Sequence, residues 1–170
     1  MENQNHAFNY AYLLKQVKAR VLLAQKKAIY TANEEMLSMY WDIGKLLSES
    51  QKQIGWGNNA LEKLANDLKN DYPEMKGFSV RNCQFMIQFY NEYNQQLTNT
   101  KRAVSYLNNN EIVLPVSKLG WSHNITLMQR TKDIKARYWY MIQCLKNGWS
   151  RDFLIEAIKQ EYYHSHGALA

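Results

Sequence analysis

Asp71, Glu74 and Lys76 are the residues whose types and spacing come nearest to catalytic chemistry. An acid followed at a distance by Glu-x-Lys can hold a divalent cation between carboxylates with a lysine beside it, which is the chemistry of metal-dependent phosphodiester hydrolysis. That chemistry needs a strand to present the Glu-x-Lys, with an apolar run before it. Glu74-Met75-Lys76 instead follows Pro73, between two stretches with helical spacing, so the pattern predicts a turn and no catalytic site. His164 and His166 lie near the C-terminus with no Cys or His close by to complete four ligands, so no metal site is expected. The sequence contains neither a glycine-rich phosphate loop nor a nucleophile elbow. The expectation is a chain without catalytic residues, metal or cofactor.

Nucleic-acid recognition is a better match for the residues around the same turn. Lys76 lies in the turn, and Ser79 suits the N-cap of the helix that follows. Arg81, Asn82 and Gln84 fall in its first turns and Gln88 one turn further on. In a helix-turn-helix the second helix enters the major groove by its N-terminal end, where Arg reads guanine and Asn or Gln reads adenine. The segment Pro-Glu-Met-Lys-Gly-Phe is longer than the usual turn of that motif, so a corner in a helical bundle is the competing reading.

Charge points the same way. The formal net charge is +6, and residues 101 to 151 carry nine Lys/Arg against two acids. Within that basic half, Lys118, Arg130, Lys132 and Lys135 are the candidate phosphate contacts. A solvated basic face without a ligand is the plain alternative.

The elements that must position these residues are helical. Proline occurs twice and glycine seven times in 170 residues, which predicts long helices and few turns. Residues 7 to 53 keep helical apolar spacing and read as one very long helix, or two with a break near 30 to 33. Helix-turn-helix-like units are expected over 58 to 93 and 132 to 162. Residues 94 to 110 are polar and Asn-rich and read as a loop with a short helix near 101 to 107. EIVLP, 111 to 115, is the one weak strand candidate. Ser117 or Ser122 is expected to cap the helix through HNITLMQR, and Gly148 and Ser150 to close one helix and cap the next. The tail from His164 is expected to fray. Cys83 and Cys144 sit among apolar neighbours and read as buried thiols. No signal peptide and no membrane span is read, and the cytoplasm is the expected location. The fold class is therefore all-α: one domain over 1 to 170, a multi-helix bundle with a long N-terminal helix.

Several motifs together carry a resemblance. Tyr40-Trp41-x-Ile43-Gly44, Gly55-Trp56-Gly57, Gly77-Phe78-Ser79-x-x-Asn82, Trp121-Ser122-His123 and Asn147-Gly148-Trp149-Ser150 resemble the N-terminal domain of the YhcG family over about residues 15 to 162. These are bacterial proteins in which that domain precedes a PD-(D/E)XK nuclease domain. The resemblance implies a helical domain that binds DNA or helps target or assemble the nuclease, with the catalytic carboxylates outside this chain. Tyr40, Trp41, Trp56, Phe78, Trp121 and Trp149 then read as core and corner anchors, and Gly77 as a residue chosen for its backbone. Arg81 and Asn82 gain as DNA candidates, although Asn82 can equally brace the turn. His123 can support a turn or touch phosphate. Two functions follow: a DNA-binding or targeting module, and an assembly module in which the long N-terminal helix pairs two copies. A third is an accessory that binds protein only.

Overall fold

The computed structural model describes residues 10–54, 58–100 and 115–167. They form six α-helices: α1 Tyr10–Ile54, α2 Asn58–Asp71, α3 Val80–Thr100, α4 Trp121–Arg130, α5 Ile134–Asn147 and α6 Arg151–Lys159. A 3₁₀ turn, Pro115–Lys118, precedes α4, and a π-helical turn, Tyr163–Gly167, follows α6. No strand occurs among the described residues, so the chain is all-α as expected. Trp56 and all but the last residue of the strand candidate 111 to 115 lie outside the described residues, and so does the short helix expected near 101 to 107.

α1 is one unbroken helix of 45 residues, with no interruption near 30 to 33. Only its second half is packed. Tyr40, Gly44, Leu47 and Ser48 are buried against α3 and Leu37 is buried too, while every side chain from Tyr12 to Ala32 is exposed. Gly44 sets the approach of the two helices. A Cβ there would lie 2.1 Å from the Met86 carbonyl oxygen, so only glycine lets the backbones come this close.

α3 is the central helix. Its Cys83, Met86, Ile87, Phe89 and Tyr93 are all buried, and they reach three groups of partners. Cys83 and Ile87 join Leu47, Leu61 and Ala65 from α1 and α2. Met86 joins Tyr40 and Phe78. Phe89 and Tyr93 join the large cluster built from α4, α5 and α6, including Leu127, Met141 and Leu154. Phe89 is a hub, with edge contacts to Trp41, Tyr93 and Trp121 at ring separations of 5.3 to 5.5 Å. Such contacts add about 0.5 to 1.5 kcal/mol each beyond area burial.

The helix ends follow local chemistry. Ser150 caps α6, its Oγ accepting from the Phe153 amide, and Gly148 closes α5 at φ 64. Asp133 caps α5 by accepting from the Lys135 amide. Two expectations are corrected. The N-cap of α4 is Gly120, without a side-chain cap, because Ser122 is already the second residue of the helix and Ser117 belongs to the 3₁₀ turn. α3 runs on to Thr100 through residues expected to be a loop, since the packed face of its first half carries the helix forward. Of the tail from His164, residues 164 to 167 belong to the π turn, where Ser165 Oγ donates to the Glu161 and Tyr162 carbonyls, and 168 to 170 lie outside the described residues.

Candidate nucleic-acid interface

The corner between α2 and α3 is pinned from three sides. Tyr72 still bonds back to Leu68, and Pro73 ends the helix. Gly77 takes φ 128, a left-handed conformation that favours glycine, and a Cβ there would meet the Tyr40 hydroxyl at 2.5 Å. Ser79 Oγ then accepts from the Asn82 amide as the N-cap of α3. Asn82 is half-buried, and its side-chain amide is engaged at both ends. Nδ2 donates to the Gly77 carbonyl at 2.6 Å, and Oδ1 accepts from the Trp121 indole at 2.7 Å. Burial raises the Tyr40 phenol, partly offset by its hydrogen bond with Asn82. Tyr40 of α1, Gly77 of the corner, Asn82 of α3 and Trp121 of α4 thus form one cluster.

Asn82 therefore faces the protein, while Arg81 faces solvent, its guanidinium 5.6 Å from the Phe85 ring centre. Arg81, Gln84 and Gln88 recur at helical spacing along one outer edge of α3. Lys76 is exposed in the corner just before it. Gln84 and Gln88 line a shallow depression of about 400 Å³ with Gln51 and Asn91. Gln88 also lines a second depression, of about 500 Å³, with Gln129, Lys132 and Arg137. The fold thereby brings Gln88 beside Lys132, 44 residues away in the chain. Arg130 and Lys135 flank Lys132 in the chain, and all three are exposed.

Two further candidate residues are already paired. Gln88 Nε2 donates to Glu92 Oε1 at 2.6 Å. Lys118 Nζ donates to Glu34 of α1 at 2.6 Å, so it clamps the 3₁₀ turn to α1 and stands apart from the α3 edge.

Arg137 and Glu92 line the second depression, and Tyr93 packs against Arg137. Arg137 is 4 % exposed, donates from Nε and Nη2 to the Thr131 carbonyl and from Nη1 to Glu92, and sits 5.5 Å from the Tyr93 ring centre. Burial pushes the Tyr93 phenol up to about 12. This guanidinium ties α3 to the α4–α5 link that carries Lys132. Sequence spacing carried no signal for it, because its partners lie 45 and 6 residues away on other elements. His123 is likewise structural: Nε2 bonds the Trp149 carbonyl at 2.9 Å and fastens α4 to the α5–α6 corner.

Among the described residues no cluster of three His, Cys, Asp or Glu could hold a metal, and no helix is long and apolar enough to cross a membrane. Neither a curated protein nor a solved structure matches the chain. The family model of the DUF1016 N-terminal domain does match, over residues 16–165. With the motifs distributed through that span, the chain belongs to the DUF1016 N-terminal domain family, the N-terminal domain of the YhcG proteins.

Proposed function

We propose that this domain is a non-catalytic DNA-binding module that targets a PD-(D/E)XK-type nuclease domain to its substrate. The observation that carries the reading is the polar edge of α3, Arg81, Gln84 and Gln88, whose Gln88 end shares a depression with exposed Lys132 on the α4–α5 link. Arg81 and Gln84 have the donor and acceptor sets that read base edges. Lys76, Arg130, Lys132 and Lys135 supply cations for phosphates on either side. Binding of this kind releases counterions, so affinity falls steeply with salt.

The test is titration of a labelled duplex at several salt concentrations. Arg81→Ala and Lys132→Ala should each weaken binding, and Lys132→Ala should reduce the slope of log K against log salt by about one phosphate contact. No binding of any duplex at low salt would sink the reading.

A second reading, assembly of two copies, is favoured by a different observation. More than half of α1's described length projects from the packed helices with its apolar side chains exposed, including Val17, Val21 and Ile29. Exposed apolar surface of this extent on one helix marks a site of association.

A further inference from the structure

The projecting part of α1 has a composition of its own. Between Tyr10 and Asn33 it carries Lys15, Lys18, Arg20, Lys26 and Lys27 and no acid. Leu14, Val17, Val21, Ala24 and Ala28 repeat at alternating spacings of three and four, which aligns them on one face. Helical geometry sets Lys18 on one side of that stripe and Arg20 and Lys27 on the other.

The packed half of the same helix borders a surface of opposite character. α1 and α2 splay apart at the α2–α3 corner and leave an apolar groove of about 540 Å³. Met39, Ile43 and Leu46 form its α1 wall, Leu68 and Tyr72 part of its α2 wall, and Met75 closes one end. Leu46 is 64 % exposed and Tyr72 52 %, so the groove is open to a large partner. Its outer edges are acidic on balance: Asp42 and Glu49 flank Leu46 on α1 with Lys45 between them, and Asp67 and Asp71 follow Lys63 along the outer side of α2, four acids to two lysines, all exposed.

A basic apolar helix thus matches an acidic-edged apolar groove within one chain. The two cannot meet in the same molecule. Arm and groove wall belong to one unbroken helix, and the arm extends about 33 Å away from the groove at 1.5 Å per residue. Pairing one arm with another is opposed by charge, since each brings five bases and no acid.

We propose that the groove receives residues 14 to 28 of α1 from a second copy of this chain, and that two copies exchange arms reciprocally. The two α1 helices then run antiparallel about a two-fold axis near residue 33. The apolar stripe of each arm lies between α1 and α2 of the other copy, and Lys18, Arg20 and Lys27 meet the acidic edges. The inference rests on the assembly reading and names its contact surface. The contact is isologous and closed, so it stops at two copies.

The experiment is sedimentation of the full chain at micromolar to tens of micromolar concentration, with two charge-reversed variants. One carries Lys18→Glu, Arg20→Glu and Lys27→Glu in the arm; the other carries Asp42→Lys, Glu49→Lys and Asp71→Lys at the groove. All six positions are exposed, so the fold should survive, and circular dichroism checks this. The unmodified chain should sediment at twice its 20.1 kDa, and each variant alone should associate at least about tenfold more weakly. An equimolar mixture of the two should recover the dimer, because each acidic arm then meets a basic groove. A monomeric unmodified chain overturns both the assembly reading and this inference. A dimer that survives the groove reversal, or is not recovered on mixing, leaves assembly standing and overturns arm exchange.

Discussion

The Trp121 indole donates to Asn82 Oδ1 at 2.7 Å, across 39 residues of chain and from one helix to another. The other end of the same amide donates to Gly77 at the corner. A residue placed where a DNA-reading side chain is expected, in the first turn of the second helix, is therefore the brace that holds that helix to α4. Its neighbour Arg81 is left on the outer surface. The corner and the reading edge are built from adjacent residues with divided roles.

That division predicts opposite phenotypes. Asn82→Ala leaves the Trp121 N–H and the Gly77 carbonyl without their partner and should lower stability by about 2 kcal/mol. Asn82→Asp should do the same, because a carboxylate cannot donate to the Gly77 carbonyl. Neither should change the salt dependence of duplex binding. Arg81→Ala should leave the urea midpoint within experimental error and weaken duplex binding. A urea titration beside a binding titration separates the two, and an Asn82→Ala protein of unchanged midpoint would refute the bracing role.

Gly44 offers a sharper test of the packing between α1 and α3. Gly44→Ala places a methyl group 2.1 Å from a backbone oxygen of the facing helix, which no rotamer can relieve. Helix propensity alone would favour alanine by about 1 kcal/mol. The close approach should reverse that sign and destabilise the protein by about 2 kcal/mol or more. Thermal unfolding decides it: a raised melting temperature would mean that the helices are not packed this closely.

The thiols predict a pH dependence. Burial pushes Cys144 up from 9.0 to about 11, and Cys83 is also raised, chiefly by burial. In the unfolded chain Cys144 loses its proton at the ordinary value; in the folded protein it keeps it until higher pH. Between those values the folded state binds more protons, so stability is intact below pH 9.0 and falls as the pH rises toward about 11. The loss from Cys144 amounts to about 2 to 3 kcal/mol across that window. Cys144→Ala should flatten the alkaline fall in the urea midpoint. At neutral pH both thiols should resist alkylation until the protein unfolds.

The sequence alone was enough for the all-α class, the order of the helices, the two corners and the family, but not for the end of α3 or the cap of α4. Apolar spacing marks α1 to α6, Pro73 and Gly77 mark the first corner, and Gly148 with Ser150 marks the second, because periodicity and capping are local and act through neighbours a few residues apart. It also carried the thiols' burial, through the apolar residues around them. Pairing across the fold was not legible. Nothing near Asn82 in the chain announces Trp121, nothing near Arg137 announces Glu92, and nothing near Gln88 announces Lys132. The N-terminal and C-terminal halves of α1 read alike as amphipathic helix, yet only one is packed. Which half is packed, and whether Arg81 or Asn82 faces outward, depends on where α3 and α4 come to rest. That is decided by close contact between distant segments, which local spacing does not encode.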